Sequence, residues 1–173
     1  CASNMNDVLT RFIASGTLEP KETMPTVAPS MDIQIPSSLE RLIYDLEGDT
    51  SSFYNQLQSE KVATLSEDAT KKLQSIFSSK SFDDEMILRE IKDFNKNYDW
   101  IVDPHTATAV SEKVTFDSNL PVVGIATASP EKFSNVISSV ISSFSVKNSE
   151  NTEDYIVCRS DSSTVENTIK EYF

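Results

Sequence analysis

The stretch that decides the fold is Pro121–Phe133, with the sequence Pro-Val-Val-Gly-Ile-Ala-Thr-Ala-Ser-Pro-Glu-Lys-Phe. Its apolar first half, residues 121–126, predicts a buried strand of a parallel sheet. Ser129 and Pro130 are residues typical of a helix N-cap and of the first helical position, so a helix is predicted to follow. Ligands of open α/β sheets bind beyond the carboxyl ends of strands, although an ordinary strand-to-helix turn without a ligand fits this pattern too. The candidate cofactor contacts are Thr127, Ala128 and Ser129.

Composition excludes several classes of partner. The 173 residues suffice for one domain with a sizeable core, and the net charge of −12 argues against binding to nucleic acid or to an anionic membrane surface. No apolar run approaches the roughly 20 residues that span a bilayer, and the start lacks the features of a signal peptide. We therefore expect a soluble, cytoplasmic protein. The two cysteines, Cys1 and Cys158, are expected to be free thiols, and no metal site is predicted.

Apolar spacing in the first half predicts helices. Asn4 or Asn6 is expected to cap a short helix that ends at Gly16, and a proline-rich connection follows. Residues 37–98 form a run of short helices. The first begins at a capping box over residues 37–40, ends at Gly48, and has one apolar stripe made of Leu39, Leu42, Ile43 and Leu46.

The second half is predicted to contain the strand-turn-helix core, residues 99–173. Asp103 is a natural N-cap for a helix that begins at Pro104 and carries His105, whose position in a first turn is more often structural than catalytic. Residues 155–158 predict a last short strand, and residues 162–173 a closing helix with Ser162, Ser163 and Thr164 as caps. The helix after the central turn buries Val136, Ile137, Val140, Ile141 and Phe144.

The residues that a complete phosphate or cofactor site needs are sparse. The sequence has three glycines, Gly16, Gly48 and Gly124, so no glycine-rich loop is available to cradle a phosphate. No metal-binding or Ser-His-Asp motif is present. By physical chemistry alone, the chain is an incomplete α/β domain.

Three segments together resemble threonine synthase, in the same order and at similar spacing. Residues 4–12 and 29–37 are similar to the Asn-x-Asn-Asp and Ser-Met-Asp region of that family. Asp103-Pro104-His105-Thr106-Ala107 resembles its Asp-Pro-His-Thr-Ala turn. Ala126–Phe133 resembles its Thr-Ala-His-Pro-Ala-Lys-Phe turn.

The resemblance implies the C-terminal part, residues 1–173, of the large domain of a fold-type II enzyme that binds pyridoxal 5'-phosphate. This fold is α/β and tryptophan-synthase-β-like, helix-rich here with few strands of a mainly parallel sheet. The implied reaction, by a carbon-oxygen lyase acting on phosphates, converts O-phosphohomoserine and water to threonine and phosphate, the last step of threonine biosynthesis. The family's Schiff-base lysine and its phosphate loop precede the matched part, and Lys80 does not match the lysine motif. The chain alone is therefore expected to be inactive without the missing N-terminal part.

The resemblance also assigns site residues. Thr127 matches a threonine that hydrogen-bonds the pyridine nitrogen, and with Ala128 and Ser129 it forms the cofactor-binding turn. Ser129 departs from the family's His, and Glu131 from its Ala. The positions implied to lie near the substrate are Asn6, Asp7, Arg11, Ser30, Asp32 and His105.

Two other functions remain open. Ser129 is compatible with a related phospho-lyase that acts on O-phosphothreonine or O-phosphoserine. The missing lysine and glycine loop are compatible with a catalytically silent interaction domain. In each case, the buried strand predicted at residues 121–126 needs ladder partners on both edges, so its neighbours are expected to lie largely outside this chain.

Overall fold

Eight α-helices account for most of the regular structure in the computed structural model, which describes residues 1–111, 122–146 and 161–172. Two 3₁₀ turns, Pro29–Met31 and Pro130–Phe133, supplement them. No helix in these ranges combines the length and the apolar character needed to cross a membrane. The helices are α1 Val8–Ser15, α2 Leu39–Glu47, α3 Ser51–Glu60, α4 Glu67–Ile76, α5 Asp84–Tyr98, α6 Pro104–Val110, α7 Ser134–Val140 and α8 Ser162–Tyr172.

Four two-residue strands form two small sheets in the described part of the chain. β1 (Ala2–Ser3) pairs in parallel with β4 (Lys80–Ser81). β2 (Thr17–Leu18) pairs antiparallel with β3 (Ala63–Thr64). Strands this short contain no alternation of apolar and polar residues, which is why the sequence pattern does not predict them.

Two hydrophobic cores organise the helices. The first packs α1 to α4 together, with the rings of Phe12 and Phe53 edge to face at 6.1 Å. The second packs α5, α6 and α7 around Ile87, Ile91 and Ile137, each fully buried. The predicted apolar stripe of α2 is confirmed. The apolar residues predicted for the helix after the turn belong to the second core or pack against it, but α7 ends at Val140, before Ile141 and Phe144.

Several helix ends are fixed by a capping side chain or by a glycine. Asp83 and Asp103 cap α5 and α6 through their side chains, and Gly48 ends α2 in the left-handed conformation at φ 77°. The predicted capping box of α2 is wrong, because the side chain of Ser38 makes no capping hydrogen bond. Neither predicted cap of α1 is observed either; Asp7 occupies that position, and its side chain does not cap.

The predicted buried strand at residues 121–126 differs from the structure. Residues 122–126 have no strand partner among the described residues, and Val122, Val123 and Ile125 are 60%, 78% and 66% exposed. An extended apolar segment stays exposed when no neighbouring strand covers it. The expectation that its sheet neighbours lie largely outside this chain stays a prediction.

The remaining sequence predictions fall at the C-terminal side. The helix after the turn begins as the 3₁₀ turn Pro130–Phe133, and α7 follows only from Ser134. The cap of α8 is Asp161, whose carboxylate accepts the backbone N–H of Thr164, in place of the predicted cap by residues 162–164. The predicted strand at residues 155–158 lies outside the described residues.

Candidate active site

The carboxylate of Asp32 gathers the polar side chains of the N-terminal motif. Its Oδ1 accepts hydrogen bonds from Asn4 Nδ2 at 2.6 Å, from Asn6 Nδ2 at 2.9 Å and from Thr26 Oγ1 at 2.7 Å. Its Oδ2 accepts the backbone N–H of Thr26 at 3.0 Å. Within the described residues, four donors and no cationic side chain contact this carboxylate, so protein groups satisfy its acceptor capacity.

The two asparagines act as ties between distant backbone segments. Asn4 is fully buried; its Nδ2 also donates to the carbonyl of Ala28, and its Oδ1 accepts the backbone N–H of Asn6. Asn6 exchanges two hydrogen bonds with the backbone of Met24, at 2.8 and 2.9 Å. A side-chain amide both donates and accepts, which suits this role. These ties, formed in place of the predicted helix cap, hold residues 24–32 against the start of the chain.

The guanidinium of Arg11 is engaged on another side of α1. Its Nε lies 2.9 Å from Asp7 Oδ1, and one terminal nitrogen lies 3.4 Å from a carboxylate oxygen of Glu19. The other terminal nitrogen donates to the carbonyl of Glu19 at 2.8 Å. No hydrogen bond in the described residues connects this group to Asp32 or His105. The structure therefore does not join Asp7 and Arg11 to the other predicted substrate positions.

His105 is buried, 8% exposed, and both of its ring nitrogens are bonded. Its Nδ1 lies 2.8 Å from Asp103 Oδ1, and its Nε2 accepts the backbone N–H of Ser30 at 3.1 Å. Because Nε2 accepts from an amide, the ring proton must lie on Nδ1, where it is donated to Asp103. The ring of Phe133 packs on the imidazole, with centroids 4.6 Å apart.

Asp103 is fixed from several directions and is 1% exposed. As the N-cap of α6 it accepts the backbone N–H of His105 at 2.9 Å, and its other oxygen accepts the hydroxyl proton of Thr106. The sequence identifies Asp103 as a cap but not as the partner of the imidazole. The spacing of two residues between cap and histidine was the signal for this second role, since it places both side chains at the same helix end.

The predicted cofactor turn is accessible. Thr127 and Ser129 are exposed and Ala128 is half-buried. Ser129 Oγ accepts the backbone N–H of Glu131 at 3.3 Å, so this hydroxyl is used as a cap. Thr127 makes no hydrogen bond within the described residues, and its hydroxyl is open to a ligand.

The segment leading into that turn passes close to α6. A Cβ on Gly124 would lie 3.1 Å from Val110 Cγ1 and 3.9 Å from the carbonyl oxygen of Ala109. The missing side chain therefore permits the close approach of residues 122–126 to the end of α6. Phe133 provides a second link on the other side of the turn, through its contact with His105.

The site therefore consists of three connected parts. The Asp32 cluster, which comprises Asp32 and its donors Asn4, Asn6 and Thr26, holds one end of the segment that carries Ser30. His105 holds the middle of this segment through the amide of Ser30. Phe133 connects His105 to the turn of Thr127. Sequence reasoning missed Asn4, Thr26, Asp103 and Phe133 as members, because each acts through a contact with a distant segment or with the histidine. Within the described residues, no group of three His, Cys, Asp or Glu side chains is arranged to hold a metal ion.

The known proteins that this chain resembles in sequence are threonine synthases and threonine synthase-like proteins. Threonine synthase of Pseudomonas aeruginosa is 30% identical over 143 residues, covering 79% of this chain and 30% of that protein. Threonine synthase-like 1 of Macaca fascicularis is 31% identical over 165 residues, covering 91% of this chain and 22% of that protein. No family model matches the chain.

A solved structure agrees with these relatives. The crystal structure of threonine synthase from Brucella melitensis with bound pyridoxal 5'-phosphate matches with a TM-score of 0.76 at 30% identity, over 80% of this chain and 31% of that one. The match confirms the predicted fold class, the helix-rich α/β fold of the fold-type II enzymes. The chain spans about a third or less of the length of these three proteins.

Proposed function

We propose, on the premise that this chain is homologous to a C-terminal segment of threonine synthase, that it works as part of an enzyme that uses pyridoxal 5'-phosphate. The enzyme, a carbon-oxygen lyase acting on phosphates, would convert O-phosphohomoserine and water to threonine and phosphate. Its threonine synthase-like character is supported by relatives and by the solved structure. The specific substrate and the activity of the chain are our proposal.

The observation that carries the proposal is the meeting of the three resembling segments at one residue. His105 belongs to the Asp-Pro-His-Thr-Ala segment, and it bonds to Ser30 of the Ser-Met-Asp segment. Phe133, from the segment that begins with Ala126-Thr127, packs on the same imidazole. These two contacts bring all three resembling segments together at one buried imidazole, and this convergence supports treating them as parts of one site.

The residues present fit one contact of the cofactor. The hydroxyl of Thr127 is exposed and unbonded within the described residues, as a partner for the pyridine nitrogen must be. A neutral hydroxyl at that nitrogen would leave the ring less protonated than a carboxylate would, and so tune its electronics. Ala128 and Ser129 would line the same turn. When bound, pyridoxal 5'-phosphate supplies the electron sink for the reaction.

The sequence lacks two features with which the family is expected to hold the cofactor. The sequence has three glycines; two end helices, and the third, Gly124, lies against α6. Neither a glycine-rich phosphate loop nor the family's lysine is found in the sequence. We propose that both come from an N-terminal part of the same enzyme, and that this chain alone is inactive.

The proposed domain organisation follows from this division. Residues 1–173 would be the C-terminal part of the large cofactor-binding domain, with helices over residues 37–98 and the strand-turn-helix core over residues 99–173. The exposed apolar residues of the segment 122–126 would become a strand when the N-terminal part supplies its neighbours. We also propose that the enzyme is cytoplasmic.

Substrate contacts are proposed at two places. The hydroxyl of Ser30 is exposed and makes no hydrogen bond within the described residues, so it is available to a phosphate or carboxylate oxygen. Asn6 and Asp32 would act next to it by fixing its segment. Arg11 would bind a substrate phosphate only by releasing Asp7 or Glu19, since its guanidinium contacts both.

The test is product formation by the chain with and without the N-terminal part. The chain joined to that part, loaded with cofactor, is expected to release phosphate and threonine in equal amounts from O-phosphohomoserine. The chain alone should release neither. Phosphate release without threonine, or no turnover by the joined protein, would contradict the proposal.

A related phospho-lyase is the second candidate. Ser129 stands where the family has His, and threonine synthase-like 1, whose name describes a likeness and not a reaction, is among the relatives. The joined protein would then release phosphate from O-phosphothreonine or O-phosphoserine without making threonine. The same assay with three substrates separates these outcomes, and no release from any of them would favour a silent interaction domain.

A further inference from the structure

We infer that His105 is a positioning residue, which fixes the segment of Ser30 relative to the turn of Thr127, and that its imidazole neither carries protons in the reaction nor contacts the substrate. One part of the inference rests on the proposed function, namely that Ser30 contacts the substrate. The arrangement of the imidazole itself is a property of the chain without cofactor. The two claims therefore fail separately.

Both nitrogens of the imidazole are committed to protein partners. Nδ1 faces Asp103 Oδ1 at 2.8 Å, and Nε2 accepts the amide proton of Ser30 at 3.1 Å. A proton carrier needs a nitrogen within hydrogen-bond reach of the reacting group. For Nε2 to take a proton, the bond from Ser30 must break, because a protonated nitrogen cannot accept it.

The surroundings leave the imidazole little freedom. Its side chain is 7% exposed and that of Asp103 is fully buried. Asp103 is held by the backbone N–H of His105 and the hydroxyl of Thr106, so it orients the ring as well as selecting the proton on Nδ1. Phe133 contacts the ring at 4.6 Å between centroids. The ring is therefore a rigid connection and not a mobile group.

The segment of Ser30 depends on this connection. Pro29 and Ser30 are exposed, and the backbone there is a single 3₁₀ turn. The Asp32 cluster fixes the carboxyl side of the turn, and Asn4 fixes Ala28 on the other side. In the described ranges, Ser30 itself is hydrogen-bonded through its backbone N–H to His105 Nε2, so this bond positions the backbone from which the hydroxyl of Ser30 projects.

The first experiment reads the proton position directly. His105 is the sole histidine in the sequence, so ¹⁵N-labelled chain without a histidine tag gives one pair of ring nitrogen signals. We expect long-range ¹H–¹⁵N correlation at neutral pH to show a protonated Nδ1 and an unprotonated Nε2. A protonated Nε2, or averaged signals of a freely exchanging ring, would overturn the inference.

The second experiment uses two matched substitutions and amide hydrogen exchange. In His105→Gln the side-chain oxygen can lie near the position of Nε2 and accept from Ser30, whereas in His105→Asn the amide reaches only the position of Nδ1. We expect the exchange rate of the Ser30 amide to rise about fivefold to tenfold in the Asn variant and to stay within about twofold in the Gln variant. Equal effects of both variants would contradict the inference.

A fold control accompanies these variants. The amides of Ile87 and Ile91, buried in α5, should exchange at the parental rate. If the Asn variant loses this protection, the comparison is made between the parent and His105→Gln. In that case a Gln variant that keeps α5 protected but exposes the Ser30 amide counts against the inference.

The third measurement is made in the joined, cofactor-loaded protein. For a positioning residue, His105→Asn should raise KM with little change in kcat, and His105→Gln should restore KM. A fall in kcat of about a hundredfold or more in both variants would identify a proton carrier and overturn the inference. An inactive parent would instead count against the proposed function, while the ring and amide measurements would still decide the role of His105.

Discussion

Asn4 donates a 2.6 Å hydrogen bond to Asp32, which lies 28 residues later in the sequence. Asn4 is fully buried, and Asp32 is half-buried. The bond connects the start of the chain to the segment that presents Ser30. Asn6 and Thr26 donate to the same oxygen of Asp32. The two segments are therefore held together here by side-chain hydrogen bonds to one carboxylate, and not by the backbone hydrogen bonds of a sheet.

Replacing Asp32 should therefore lower the free energy of unfolding by more than a typical substitution of a half-buried aspartate. Asp32→Ala leaves the amides of Asn4 and Asn6 without their acceptor, and we expect a loss of about 2 kcal/mol in the free energy of unfolding. Asp32→Asn should cost less, about 1 kcal/mol, because one oxygen remains. Urea titration followed by circular dichroism measures both.

Asp93→Ala is the matched control for Asp32. Asp93 is exposed on α5 and makes no side-chain hydrogen bond in the described part of the chain. Its substitution should change the free energy of unfolding by less than about 0.5 kcal/mol. Equal losses at both positions would show that the Asp32 cluster contributes no particular stability.

The role of Thr127 is tested by removing its hydroxyl at constant shape. Thr127→Val should lower the affinity of the joined protein for pyridoxal 5'-phosphate by about 1 kcal/mol, since one hydrogen bond is lost. Thr127→Ser keeps the hydroxyl and should bind the cofactor like the parent. Visible absorbance during cofactor titration gives the affinities. Parental binding by the Val variant would mean that Thr127 does not contact the ring.

Gly124 and Val110 should show energetic coupling. A Cβ on Gly124 would lie 3.1 Å from Val110 Cγ1, which is close enough to require a small shift of that side chain. Gly124→Ala is expected to cost about 0.5–1 kcal/mol alone and less in a Val110→Ala background, where room has been made. A double-mutant cycle by urea titration measures the difference. Additive effects would place the segment away from α6.

Asp161 should give α8 an acid-sensitive N-terminus. Hydrogen bonds from the Ser163 hydroxyl and from the backbone and hydroxyl of Thr164 lower the pKa of Asp161 to about 2. Since its pKa is lower in the folded state, the stabilisation is present above the ordinary carboxyl pKa of about 3.8 and is lost as the pH falls toward 2.

The carboxyl ¹³C chemical shift of Asp161 should therefore titrate near pH 2. Asp161→Asn keeps a capping oxygen but has no charge to titrate, so the amide shifts of α8 should lose this transition. A titration midpoint near 4 in the parent would contradict the predicted cap.

The apolar segment before the turn should make the isolated chain self-associate. Val122, Val123 and Ile125 are all more than half exposed, and unpaired extended backbone favours pairing with another copy. Val123→Lys should shift the chain toward the monomer in size-exclusion chromatography. Ile76→Lys, a substitution of an exposed apolar residue at the end of α4, is the control and should leave the association unchanged.

Local features were predictable from sequence, and distant contacts were not. The apolar stripe of α2, its end at Gly48 and the cap at Asp103 depend on neighbouring residues, and all three are confirmed. Asn4 and Asn6 have a side chain suited to capping, but the competing partners were Met24, Ala28 and Asp32, which the sequence places far away. The segment 122–126 has the composition of a strand, and a strand forms only with a neighbour.

The two hydrophobic cores also differ in the stretch of sequence from which their buried residues come. The first is completed by residue 73, the last of its buried members, whereas the second combines Ala28 and Phe82 with Ile137 and Ile141. During synthesis on a ribosome, α1 to α4 can therefore pack while the partners of Ala28 have still to be made. Since the N-terminal side of a chain leaves the ribosome first, the half that carries His105 and Thr127 would assemble on a first half that has already packed.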